Sequence, residues 1–214
     1  MIDTILFDYD GTIINTNNAI KYSFNKISQH FFGRDLPEED FNFMFGRPLE
    51  LQMDYLLPNK SSEACKFYRS AYNSVREELI TPFPKLIETL KMLKERNIKI
   101  GLVSSNTMAG IVYGMNKFEF GQYIDTIVSS DDTTTHKPDP TPLLIGLNKL
   151  DSVVSKALMV GDSPYDIESG IRADMKTVLV DWSIFPEHTF SGMTANYQIS
   201  SLPSLIDLLD QLIF

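Results

Sequence analysis

The chain has 214 residues, 43% of them hydrophobic, which suffices for one large domain, or a domain with a small insert, around a sizeable core. A net charge of −9 and the lack of any basic stretch interleaved with aromatics argue against nucleic-acid or anionic-membrane partners. The single cysteine, Cys65, cannot form an internal disulfide and reads as a small core residue. No run has the features of a signal peptide or the length of a membrane span, so a soluble, cytoplasmic protein is expected.

Residues 4–15, TILFDYDGTIIN, open with the apolar run Ile5, Leu6 and Phe7, the pattern of a strand buried on both faces of a parallel sheet. Gly11 and Thr12 read as the turn that stops it. Asp8 and Asp10, two apart on an extended chain, point to the same side. Both carboxylates are therefore expected in the crevice at the carboxyl ends of the strands, where open α/β sheets bind ligands. Like charges held that close call for a cation or a shared proton. The same Asp-x-Asp-Gly pattern also occurs in turns and calcium loops.

The composition then changes. Ile20, Phe24, Ile27 and Phe31 predict an amphipathic helix over 16–32. After a break at 33–37, residues 38–57 read as short helices around a Gly46-Arg47-Pro48 turn, and Phe67, Ala71, Val75 and Leu79 mark a helix over 61–80. With no strand pattern from 16 to 80, this block reads as a small helical unit. Phe41, Phe43, Phe45 and Tyr55 read as its core.

From Pro82 strands and helices alternate. Strands are predicted at 98–104, 124–129, 157–161 and 177–180. Leu86, Ile87, Leu90 and Leu93 mark the first helix, and others lie near 107–117, from Pro140 and Pro142 to about Leu150, up to about Ala173, and over 203–213. That alternation means βαβ units and a parallel sheet, an α/β class.

Three further segments carry chemistry. Ser104-Ser105-Asn106 at a strand end offers hydroxyls and backbone N–H groups to a phosphate oxygen, or caps the following helix. In HKPDPTP, Lys137 sits in a loop stiffened by Pro138, Pro140 and Pro142, where a fixed ammonium could neutralise a phosphoryl group or hold two carboxylates against repulsion. His136 reads as its neighbour rather than a catalyst. In VGDSPYDIESG, Asp162 ends a buried strand and Asp166 follows one helical turn later. Such oxygen ligands suit a hard cation like Mg²⁺, although Asp166 also suits a helix N-terminus.

The order of these motifs, together with the phrases FDYDGT, HKPDPTP and GDSPYDIESG, resembles the haloacid dehalogenase superfamily over essentially the whole chain, most closely its phosphoglycolate phosphatase and pyrophosphatase branch. The resemblance implies a Rossmann-like parallel-sheet core with helices on both faces, formed by 1–14 and 82–214, and an inserted helical cap domain over 15–81. It implies that Asp8 is the nucleophile and Asp10 the general acid/base. Mg²⁺ would be held by Asp8, the carbonyl of Asp10 and Asp162, with Asp166 in support. Thr12, Ser104, Ser105, Asn106 and Lys137 would bind the phosphoryl group, and Arg47, on the family's substrate loop, the leaving group. Similar dehalogenases lack the second aspartate, which argues against carbon–halogen cleavage.

The resemblance thus implies a phosphatase acting on a small phosphorylated metabolite, a phosphate monoester or pyrophosphate, as monomer or homodimer, beneath a cap hinged near 14–17 and 79–83. A phosphomutase is the nearest enzyme alternative, although mutases often carry Glu-Asp where this chain has Gly161-Asp162. A phosphate-sensing protein without turnover is the alternative from another class. Asn15, Pro84, Asp174 and the segment 181–190 (DWSIFPEHTF) depart from the family pattern, none within the catalytic set.

Overall fold

The computed structural model describes residues 1–37, 40–41 and 44–212. In chain order the elements are β1 (Thr4–Phe7), β2 (Ile14–Asn15), α1 (Asn17–Phe32), α2 (Leu49–Leu56), α3 (Ser61–Leu79), β3 (Thr81–Pro82) and α4 (Leu86–Glu95). There follow β4 (Lys99–Val103), α5 (Met108–Lys117), β5 (Thr126–Val128), α6 (Thr141–Lys149), β6 (Ala157–Gly161), α7 (Pro164–Arg172), β7 (Lys176–Val180), β8 (Tyr197–Ile199) and α8 (Ser204–Gln211). Two compact units result: Met1–Ile14 with Pro82–Phe214, and Asn15–Thr81.

The first unit is a six-stranded parallel sheet in the order β5-β4-β1-β6-β7-β8. Its apolar first strand lies at the centre, with Thr4 in register with Lys99 on one side and Ala157 on the other. Every β1 residue is buried, because the strand has neighbours on both edges and helices on both faces. Strand order reverses at β1, so the connections leaving β1 toward β4 and β6 toward β7 run in opposite directions and open a crevice at the carboxyl ends of β1 and β6. α6 packs on β4 and β5, and α7 on β6 and β7. Leu143 and Leu147 of α6 join Leu6, Val103, Val128 and Met159 of the strands in one cluster.

The strand β8 escapes the sequence pattern. It is three residues long, with the exposed Gln198 between its neighbours, and it is held in place by Asn196, whose Oδ1 accepts from Thr177 N at 2.8 Å. Ile87, expected on the buried face of α4, is 38% exposed instead. Two departures from the family pattern fall at or beside residues with left-handed backbone: Asp174 has φ 56°, and Lys85, next to Pro84, has φ 67°. Glycine adopts that region freely, and aspartate is among the residues that enter it at modest cost.

In the second unit α3 packs on α1 and α2. The helical spacing does its work there: Phe24 is fully buried, with the rings of Phe41 and Tyr68 at 6.4 and 5.1 Å. Phe41, Phe45 and Cys65 are core residues as expected. Tyr55, expected with them, is 62% exposed, because it falls on the solvent side of the short helix α2 while Gln52 and Met53 face inward. Phe43 lies outside the described residues. Among the described residues no helix is long and apolar enough to cross a membrane.

Candidate active site

Asp8 is the first residue past β1, buried, and its N–H donates to Val160 O of β6 at 2.9 Å. That bond continues the sheet ladder by one residue and fixes the direction of the carboxylate. The chain then turns back on itself: Gly11 N donates to Ile14 O, and Ile14 N to Tyr9 O. Gly11 takes φ +84°, and a Cβ there would lie 2.4 Å from Asp162 Oδ2. Gly11→Ala is therefore expected to lower stability by about 1 kcal/mol or more, from the left-handed backbone alone. Because the Asp162 carboxylate must also move to make room, its contact with Thr12 should be lost as well, and denaturation measures the combined cost.

Lys137, buried and followed by a cis peptide to Pro138, uses all three ammonium protons within the protein. They go to Asp8 Oδ1 at 2.7 Å, Asp166 Oδ1 at 2.5 Å and Val103 O at 3.0 Å. Of the two roles open to a fixed ammonium, the geometry displays the joining of two carboxylates. It also orients Asp8: with Oδ1 bound to Lys137, Oδ2 accepts no hydrogen bond among the described residues.

Asp166 has its other oxygen in a capping box. Oδ2 accepts from Ser163 N at 3.0 Å and Ser163 Oγ at 2.6 Å, while Ser163 Oγ accepts from Asp166 N. The helix-terminus role and the site role are thus served by one side chain. Gly161 makes room for it, since a Cβ there would stand 2.4 Å from Asp166 Cβ. Asp162, also buried, accepts from the Thr12 hydroxyl at 3.1 Å through Oδ1.

Carboxylate oxygens of Asp8, Asp162 and Asp166 all lie within 4.8 Å of one another. Fully ionised, three carboxylates against one ammonium would carry a formal charge of −2 in a buried site, which favours protonation of the acids or a bound cation. Burial, only partly countered by Lys137 and reinforced by Asp166 and Asp10, pushes Asp8 up to about 7. Burial, with Asp8 and Asp166 adding to it, raises Asp162 well above the carboxylate range. For Lys137 burial opposes the charge, but Asp166 and Asp8 outweigh it and keep the amine protonated. An all-oxygen donor set carrying excess negative charge, closed on one side by Gly11, fits a hard divalent cation.

The other expected site residues fall as follows. Asp10, half-buried, accepts from Asn106 Nδ2 at 3.0 Å, so the Asn106 amide holds a carboxylate. Ser104 Oγ accepts from Asn106 N at 3.1 Å, and the cap of α5 is neither of these residues but Thr107, which accepts from Gly110 N. Ser104, Ser105, Lys137 and His136 line one small cavity with Ser129 and Thr133. The Thr12 hydroxyl, expected at the substrate, is buried and committed to Asp162. Arg47 belongs to the second unit, where its carbonyl accepts from Gln52 Nε2 at 2.7 Å.

The chain matches the family of haloacid dehalogenase-like hydrolases over residues 5–180. The chain belongs to that family. Among curated relatives, the pyrophosphatase PpaX of Bacillus pumilus is 31% identical over 205 residues, covering 96% of this chain and 95% of that one. A candidate pyrophosphatase PpaX of Caldanaerobacter subterraneus is 36% identical over 209 residues, 97% and 94% of the two chains. The haloacid dehalogenase fold is shared with the β-phosphoglucomutase of Clostridium difficile, at TM-score 0.85 and 20% identity over 99% of this chain and 96% of that one.

Proposed function

We propose that this hydrolase is a Mg²⁺-dependent phosphatase that cleaves a small phosphate monoester, phosphoglycolate-like, or pyrophosphate, through an aspartyl-phosphate on Asp8. The observation that carries the reading is Asp8 itself, with one oxygen fixed by Lys137 and the other free of protein hydrogen bonds among the described residues. That oxygen attacks phosphorus while the bond to the leaving oxygen breaks. Asp10 gives the leaving oxygen its proton, then takes one from the water that attacks phosphorus and releases Asp8 and phosphate, a role worth roughly 10²–10⁴-fold. Asn106, bound to Asp10, keeps that carboxyl aimed. Ser104 and Ser105, with backbone N–H groups near them, bind phosphoryl oxygens.

Asp8, Asp162 and the Asp10 carbonyl would hold Mg²⁺, with Asp166 in support. When bound, the ion supplies positive charge against the phosphoryl oxygens. Curated relatives named as pyrophosphatases support pyrophosphate as the first substrate to test. Arg47 receives the leaving group in this reading, and Arg47→Ala is expected to raise KM or change substrate preference more than it changes the unfolding midpoint.

Phosphate release from pyrophosphate, phosphoglycolate, nucleotides and sugar phosphates, with Mg²⁺ and with chelator, tests the proposal. Turnover of at least one substrate with Mg²⁺, none with chelator, and none by Asp162→Asn is expected. Activity confined to a sugar bisphosphate would indicate a mutase, and no release at all a binding protein.

A further inference from the structure

The loop that follows β7 departs from the family pattern, yet it touches the site from behind. Trp182 Nε1 donates to the carbonyl of Thr12 at 3.3 Å, and Ser183 Oγ donates to the carbonyl of Asp162 at 2.5 Å. Ser183 Oγ in turn accepts from Phe185 N at 3.1 Å, which directs the hydroxyl proton toward Asp162. Thr12 and Asp162 are themselves joined through the Thr12 hydroxyl. Trp182, Thr12, Asp162 and Ser183 therefore close a ring of three hydrogen bonds and one peptide link.

From this ring we infer that Trp182 and Ser183 are positioning residues for the divalent-ion site. Resting on the Mg²⁺-dependent reading above, the inference assigns them the task of holding the Asp162 carboxylate at the turn after β1. The two segments that must meet, 10–12 and 162, come from different strands and are 150 residues apart at their contact. The sheet ladder joins the two segments as far as Asp8 N and Val160 O, and past that point the Thr12 hydroxyl bonds the Asp162 carboxylate. A dipeptide that grips one carbonyl of each fixes their separation and the backbone torsion that aims Asp162. The indole is anchored in turn: its ring lies 5.2 Å from that of Phe83, whose N–H donates to Ile13 O at 3.0 Å. Groups that orient metal-binding carboxylates from outside typically change metal affinity by roughly 10–100-fold.

Calorimetric titration of Mg²⁺ into the intact protein tests this. Ser183→Ala should raise the dissociation constant about tenfold or more, Ser183→Thr should restore it, and Trp182→Phe, which keeps the ring on Phe83 but lacks the N–H, should raise it several-fold. A purely structural role would lower the unfolding midpoint of Ser183→Ala and leave the dissociation constant alone, and that result overturns the inference. If Asp162→Asn loses binding while Ser183→Ala and Trp182→Phe bind as wild type does, the positioning role is wrong and the metal reading survives. Wild-type protein that takes up no Mg²⁺ overturns both.

Discussion

Asp8→Asn is expected to abolish turnover, by about 10⁴-fold or more, since loss of the proposed covalent nucleophile leaves only binding and polar stabilisation. The substitution keeps the side chain's size and lets the amide oxygen still accept from Lys137, so the fold should persist. It should in fact stabilise the metal-free protein above about pH 4, with the full effect reached above about pH 7. Burial, with Asp166 and Asp10 behind it, lifts Asp8 from 3.8 in the ordinary state to about 7 in the folded one. A carboxyl whose folded pKa lies above its unfolded one destabilises the fold only where it ionises, and the burden grows from about pH 4 to about pH 7. The gap between Asp8→Asn and wild type should therefore widen across that window in chelator and shrink when Mg²⁺ is added. Denaturation at a series of pH values checks the trend, and a gap independent of pH would contradict it.

Lys137→Met is expected to produce the largest loss of stability. Its side chain is 3% exposed, and the ammonium bonds both Asp8 and Asp166 while satisfying the carbonyl of Val103. Removing one member of a buried charge network costs about 3–5 kcal/mol, because the partners stay behind without compensation. The same change should lower turnover, since nothing then directs Asp8 Oδ2 outward. Pairing Lys137→Met with Asp8→Asn should recover part of the lost stability, as expected of residues that share one interaction. Urea denaturation of the two single variants and the double variant measures this. Simple additivity would mean that Lys137 acts elsewhere.

Much of the fold was legible because its strands are short apolar runs that end in chemistry. The run before Asp8 and the run before Asp162 announce buried parallel strands, and Pro142 and Pro164 stand within the first turns of α6 and α7. β8 was not legible, since three residues with one polar member carry no period. Tyr55 misled because a helix of eight residues offers too few turns to define a face.

At the site, residue types and order pointed to the crevice where Asp8, Asp162, Asp166 and Lys137 meet, but pairings did not follow from them. Lys137 reaches Asp8 across 129 positions and Asn106 reaches Asp10 across 96. Those contacts exist only once β5, β4 and β1 lie side by side. Asn106 and Thr12 read as ligands for phosphate, and the structure instead gives each a carboxylate to hold. Trp182 and Ser183 passed unnoticed as a departure from pattern, because their partners are backbone carbonyls, which no side-chain motif records.

The most direct test follows the phosphorus atom. Radiolabelled pyrophosphate or phosphoglycolate is mixed with enzyme and Mg²⁺, and the reaction is quenched in acid within milliseconds. The protein should carry label on the peptide containing Asp8, released by neutral hydroxylamine and missing from Asp8→Asn. Full turnover with no label on the protein, or label on any other residue, would contradict the account.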